Sequence, residues 1–285
     1  MKPICCYICG CARNVGPHLE GVFENIKKII SNLDDYHIII AYDESQDNSL
    51  ELLKSYARSF GKKMTLIIGN KNKLTNIRTQ NIANARNKML DIMRKKNDPL
   101  FDYFIMMDMD EVCSVKINEF VFKNIIYDEK QMIKTQWDAL SFNRIEYYDL
   151  WALSIEPYSF SCHHYKNVNK IKNQMLQHLK QEMGRAIMRD PKKGLVSCIS
   201  AFNGFAIYKL KKFIDINYEW NVHKTMTIYP KHMVDQMSRA VFETPVSRHD
   251  DCEHRYFHIR ATQLHKAHIC ISPMCLFQFK STCSI

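Results

Sequence analysis

The sequence is poor in glycine and has neither a long apolar run nor a repeat. No stretch approaches the ~20 consecutive apolar residues that a membrane-spanning helix requires. The opening "MKPICCYICGCARN" is apolar over too short a distance for a secretory signal. The expectation is a soluble, unsecreted, cytoplasmic protein with no membrane span. No segment recurs at a fixed period, which excludes a solenoid or propeller. No low-complexity linker interrupts the chain, so one continuous domain over residues 1–285 is expected. Glycine supplies only 8 of 285 residues. No glycine-rich basic loop follows the first apolar segment; "GCARNVG" stands there instead.

A complete disulfide framework is also missing, although cysteine is not. Eleven cysteines is an odd number. Four crowd into "CCYICGC" (Cys5, Cys6, Cys9, Cys11), a density that suggests a zinc knuckle. Neighbouring strand residues point to opposite faces, however, so Cys5 and Cys6 do not easily share one metal. A buried strand using cysteine as a small hydrophobe, in a reducing compartment, accounts better for them.

What is present is an ordinary globular composition, 46% hydrophobic and 25% charged. A net charge of +10 favours an anionic partner: nucleic acid, an acidic membrane surface or a phosphorylated small molecule. Lysine and arginine are dispersed rather than gathered in one stripe, which argues against nucleic acid.

As far as residue 108 the pattern alternates. "ICCYICG", "YHIIIAYD", "MTLIIGN" and "FDYFIMMD" read as strands. Between them, "GPHLEGVFENIKKIISNL", "DNSLELLKSYARSFG" and "TQNIANARNKMLDIMRKK" carry apolar residues at helical spacing. Pro17 suits a first turn, Asp47 to Ser49 suit a cap, and Gly61 suits a stop. Alternation of this kind implies βαβ units, a mostly parallel sheet and ligands at the carboxyl ends of its strands. Arg13 and Asn14, Asp43 and Glu44, Gly69 and Asn70, and Asp108 and Asp110 should therefore share one edge. The second half is less regular. "INEFVFKNIIYDEK", "NVNKIKNQMLQHLKQEM" and "DDCEHRYFHIRATQLHKAH" read as helices, the last carrying His265 and His268. "WDALSFNRIEYYDLWAL" reads as a strand and an aromatic loop, "LVSCISAFNGFAIYKL" as two strands about a tight turn, and "ICISPMCLF" as a final strand.

"YFIMMDMDEV" ends a buried run in three carboxylates, which burial would penalise by several kcal/mol each if unpaired. Strand alternation puts Asp108 and Asp110 on one side and turns Glu111 to the other. Two hard oxygen donors at a strand end suit Mg²⁺ or Mn²⁺, completed by phosphate oxygens and water. Asp43 is placed for a base or ribose. Arg78 and Arg86, about two helical turns apart, can both reach phosphate. Asp250, Asp251 and Glu253 stand where a helix starts, so dipole compensation alone explains them, yet a catalytic carboxylate is also possible there. His254 and His258 share a helix face at a spacing that can bind a metal. A separate zinc site with Cys252 matches no common pattern. Tyr147, Tyr148 and Trp151 are core or stack on a sugar ring; Asn203 and Gly204 suit a tight turn or a close substrate approach.

The order of these parts resembles a GT-A-type glycosyltransferase along nearly the whole chain. "GCARNVGPHL", "YDESQDNS", "TQNIANARNKML", "FIMMDMDEV", "AFNGFAIY" and "CEHRYFH" before "ICISP" carry the resemblance. It is most similar to giant-virus glycosyltransferases, hence host cytoplasm, and more distantly to cryptococcal-type mannosyltransferases. The resemblance implies an α/β, GT-A-like fold. A Rossmann-like nucleotide-sugar half with a mostly parallel central sheet would span residues 1–112, and a mixed α/β acceptor half residues 113–285. It also implies transfer from a UDP- or GDP-sugar to a hydroxyl acceptor such as a glycan, with Mn²⁺ or Mg²⁺ as cofactor. Carried over residue by residue, Arg13, Asp43, Glu44, Arg78, Arg86 and Asp108 meet the donor. Asp108, Asp110, His254 and His258 are the metal candidates. Glu253 or Asp251 would be the base, and Trp151, Asn203 and Gly204 would meet the acceptor. The competing readings are a nucleotidyltransferase, for which "GCARNVG" is a poor loop, and a basic nucleic-acid-binding protein.

Overall fold

The computed structural model describes residues 2–69, 75–131, 136–191, 193–231, 233–234 and 250–277. Asn70, expected at the sheet edge, lies outside these residues.

The first four strands are β1 (Cys5–Ala12), β2 (Asp35–Tyr42), β3 (Met64–Ile68) and β4 (Phe101–Asp108). They are joined by α1 (Leu19–Ile30), α2 (Ser49–Phe60) and α3 (Arg78–Lys96). All pair in parallel in the order β3-β2-β1-β4, so their carboxyl ends share one edge, as the alternation requires. Pro17 opens a 3-10 turn ahead of α1 rather than its first turn.

Beyond β4 come two helices, α4 (Glu111–Ser114) and α5 (Glu119–Lys130), and then β5 (Ala139–Asn143). They are followed by α6 (Val168–Arg189), β6 (Val196–Ser197) and β7 (Phe205–Lys209). The remainder is α7 (Val222–Ile228), α8 (Glu253–His265) and β8 (Ile269–Cys275). β7 inserts antiparallel between β4 and β5, which extends the sheet to eight strands in the order β3-β2-β1-β4-β7-β5-β8-β6. α8 stops at His265 because Lys266 adopts a left-handed conformation (φ 53°), so His268 is not helical as expected.

Alternation along β1 divides the core into two layers. Cys6 and Ile8 face α1 and α5, packing with Val22, Phe23, Val121 and Phe122. Cys5, Tyr7 and Cys9 face α3 and α8, packing with Met89, Leu90 and Phe257. A sheet covered on both faces needs apolar side chains at successive positions, which explains the cysteine-rich first strand. The described cysteines are all free. Each large side chain so buried contributes about 1.5–3 kcal/mol. A third cluster packs Met175, Leu179 and Met183 of α6 on Ile271 of β8. Among the described residues no helix is long and apolar enough to cross a membrane.

Candidate active site

A cleft of about 1050 Å³ opens at the carboxyl ends of β1 to β4. Its first wall is built by the turns after β1 and β2. Asn14 takes a left-handed conformation (φ 52°), donates its N–H to Ser45 Oγ (2.9 Å) and accepts from Gln46 N–H (2.8 Å). The N–H groups of Val15 and Gly16 donate to Ser49 Oγ and Asp47 Oδ2, both at 2.8 Å. Asp47 and Ser49 thus tie the first loop to the second, beyond any helix-capping role. Arg13, exposed, and Asp43, half-buried, line the cleft; Glu44 is exposed and does not.

α3 contributes both predicted arginines. Arg78 is exposed at its start, and Arg86 is buried at the cleft floor. The Arg86 guanidinium bonds to Glu253 and to His254 Nε2, and lies 3.8 Å from Asp108 Oδ1. It also sits over the rings of Phe202 (4.8 Å) and Tyr218 (5.5 Å). Burial disfavours its charge, but Glu253 foremost and Asp108 hold its pKa above the ordinary value.

An arginine only donates, so His254 Nε2 must accept, and the His254 proton sits on Nδ1. That nitrogen faces Tyr208 Oη at 3.3 Å. Tyr208 Oη is in turn 3.1 Å from His258 Nε2, and His258 Nδ1 is 3.0 Å from Ser200 Oγ. Burial keeps both imidazoles neutral, holding His254 well below the usual value and His258 down at about 3. His254 borders the cleft, whereas His258 is one step behind it with both ring nitrogens engaged.

The acids after β4 enter the cleft together. Asp108 N–H donates to Gly204 O (2.8 Å), which fixes the strand end, and Asp108 Oδ2 accepts from Tyr148 Oη (2.6 Å). Asp110 caps α4 by accepting from Val112 N–H (3.1 Å). Burial and then the charge of Asp110 push the Asp108 carboxyl up to about 7, against Arg86 and Tyr148. Glu111 also borders the cleft, contrary to the alternation argument. The extended geometry ends at Asp108, and Glu111 already belongs to a helix.

The remaining predicted residues separate. Asp251 is fully buried and outside the cleft lining, with its Oδ2 3.2 Å from Arg255 Nε. Arg255, equally buried, donates to Ser154 Oγ (2.8 Å) and to Trp151 O. The pair therefore anchors the loop that carries Trp151, which does line the cleft. Asn203 and Gly204 lie behind the cleft wall, outside its lining. The Asn203 side chain donates to Phe142 O (2.9 Å) and accepts from the N–H groups of Tyr148 (3.2 Å) and Asp149 (3.3 Å). Gly204 has φ 84°, and a Cβ there would stand 2.6 Å from Val112 Cγ1 and 2.9 Å from Tyr148 Oη. Both residues shape the turn that aims Tyr148 and Asp149 at the cleft. Those two line it without a motif of their own; the only signal is an acid inside the aromatic stretch "EYYDLWAL".

Among the described residues no three His, Cys, Asp or Glu side chains cluster as a metal site. Asp108 and Asp110 supply two carboxylates, and His254 Nε2 already faces Arg86.

No curated protein sequence matches the chain. Similar solved structures include mannosyltransferase PcManGT from Pyrobaculum calidifontis, in complex with GDP-Man and Mn²⁺ (TM-score 0.43, 11% identity, 77% of this chain and 48% of that one). Another is residues 1–349 of S. aureus TarS (TM-score 0.41, 11% identity, 94% of this chain and 60% of that one). The same TarS fragment has been solved with UDP-GlcNAc (TM-score 0.40, 12% identity, 75% of this chain and 48% of that one). The chain thus spans less than two thirds of the length of these structures. Residues 7–182, more than half of the chain, match the profile of glycosyl transferase family 2. The sheet order and its covering helices form the corresponding α/β, GT-A-like fold, and the chain belongs to glycosyl transferase family 2.

Proposed function

We propose that the protein transfers a sugar from a UDP- or GDP-sugar to a hydroxyl acceptor such as a glycan. The observation that carries this reading is the convergence on one cleft of the Asp108–Asp110 pair and the buried Arg86 cation. Residues 1–112 form the donor half, with Arg13 and Asp43 toward the nucleoside and Arg78 and Arg86 toward the diphosphate. Residues 113–285 form the acceptor half, with Trp151 offering an aromatic face to a sugar ring.

The residues fit a divalent cation that arrives with the donor. Asp108, pushed up by burial and by Asp110, belongs to a pair whose ionised form a nearby cation would favour. Asp108 and Asp110 would hold Mn²⁺ or Mg²⁺, with phosphate oxygens and water completing the shell, while His254 Nε2 stays engaged with Arg86. Such a cation, when bound, neutralises charge developing on the leaving diphosphate. Arg86 is preorganised for the same charge, because Phe202 and Tyr218 fix its plane.

The test is thermal unfolding with a panel of UDP- and GDP-sugars, nucleoside triphosphates and a short RNA, each with and without Mn²⁺. The expected result is a rise in Tm with a nucleotide sugar plus Mn²⁺, lost in Asp110→Asn. A rise with triphosphates alone would point to nucleotidyl transfer. Salt-sensitive RNA binding with no response to any sugar nucleotide would reject the proposal.

A further inference from the structure

We infer that Asp149 is the general base of the reaction and that Glu253 instead serves as the buried counter-ion that positions Arg86. This rests on the reading of the cleft as a nucleotide-sugar site.

Four carboxylates stand on the acceptor side of the cleft or just behind it, and two of them are already paired with a buried arginine. Asp251 is fully buried in its pair with Arg255. Glu253 contacts the Arg86 guanidinium directly, so its Oε1 is taken up by that cation. Asp250 accepts from Thr79 Oγ1 at 3.4 Å. Asp149 differs from these. Its Oδ1 accepts from Ala152 N–H (3.1 Å), and among the described residues its Oδ2 has no hydrogen-bond partner and no ion-pair partner. It lines the cleft between Tyr148, which reaches Asp108, and Trp151, the aromatic wall. Its backbone is held by Asn203, so the carboxylate is presented from a fixed turn.

The surrounding charges suit the role. Burial first, and then Glu253, raise its carboxyl above the ordinary value, while the Ala152 N–H foremost, then Arg86 and Arg255, moderate the rise. A base closer to working pH transfers protons more effectively.

In the step assigned to it, the acceptor O–H proton passes to Asp149. The acceptor oxygen forms a bond to the anomeric carbon, and the bond from that carbon to the diphosphate oxygen breaks. The electron pair of that bond leaves on the nucleoside diphosphate. This is a single displacement, so the sugar inverts.

Asp149→Asn separates the structural role from the chemical one. Asparagine keeps an Oδ1 to accept from Ala152 N–H but loses the basic oxygen. Release of nucleoside diphosphate is followed with methyl hexosides, or water, as acceptor, and donor binding is followed by thermal shift. The expected result is a fall in kcat of about 100-fold or more for Asp149→Asn, with the donor-induced Tm shift retained and partial recovery in Asp149→Glu. Glu253→Gln should weaken the donor-induced shift and lower kcat by less than about tenfold. If Asp149→Asn keeps wild-type kcat, or Glu253→Gln alone loses turnover with its donor shift intact, the assignment is overturned. Wild-type binding without turnover on any acceptor also overturns it. Absence of any donor-induced shift in the wild type counts against the cleft reading, a distinct failure.

Discussion

The acids at the end of β4 and those at the start of α8 look alike as sequence, but their surroundings differ. At α8 the chain supplies the counter-charges: Asp251 has Arg255 at 3.2 Å, and Glu253 has Arg86 in direct contact. At β4, among the described residues, Asp108 has Arg86 at 3.8 Å, shared with Glu253, and Asp110 accepts only a backbone N–H. Carboxylates with a built-in cation belong to the architecture. Those left beside each other at a cleft are, on the proposed reading, the ones to take a cation that a ligand brings.

The largest effect that could break this contrast is on stability. Arg255→Ala leaves Asp251 buried without its partner and frees Ser154 and Trp151 O. We expect a loss of about 3–5 kcal/mol in urea unfolding. A loss below 1 kcal/mol (about the worth of an exposed pair) would mean that the pair is not structural. Asp110→Asn should do the converse. Asparagine caps α4 as well as aspartate, so stability should hold within about 0.5 kcal/mol while kcat/KM falls about 100-fold. Next, Gly204→Ala forces a left-handed conformation (φ 84°) and a clash with Tyr148 Oη. It should cost about 1–3 kcal/mol and weaken donor binding through Asp108. The smallest effect is a pH control remote from both clusters. His37, bonded to Thr65 Oγ1 at 2.9 Å, is lowered to about 4 by burial and then by Lys96 and Lys63. Below about pH 6.5 the unfolded chain takes up a proton that the folded chain refuses, so stability should decline as the pH falls from 6.5 toward 4. The slope is at most about 1.4 kcal/mol per pH unit. His37→Gln should flatten that part of the profile.

Much of the first half was legible because each strand is a short apolar run and each helix a periodic stripe. Parallel pairing then puts the carboxyl ends on one edge, which brings Arg13, Asp43 and Asp108 to one cleft, whereas Arg86 was readable from its helical spacing to Arg78 and the affinity of arginine for phosphate. The second half resisted for physical reasons. β7 pairs with β4 across about a hundred residues, and local periodicity does not encode that partnership. α4 and α7 are too short to show a period. The spacing of His254 and His258 correctly put them on one face, but the orientation of α8 decides that only His254 borders the cleft. At a helix start, Asp251 and Glu253 differ by two positions, enough to point one into the core and the other at Arg86. Asn203 looked like a substrate contact because turn residues and binding residues share a composition; here its side chain is spent on the loop itself.

The insertion of β7 between β4 and β5 has a mechanical consequence. One hydrogen-bonded sheet runs from β3 to β6, continuous between the β1–β4 side and the rest. The two walls of the cleft cannot swing apart as rigid bodies without tearing the β4–β7 ladder. On the proposed reading, adjustment around a bound donor falls, among the described residues, to side chains at the cleft, such as Tyr148 resting on Asp108. Selectivity in such a molecule resides in short stretches of chain that can be exchanged while the sheet beneath them stays fixed.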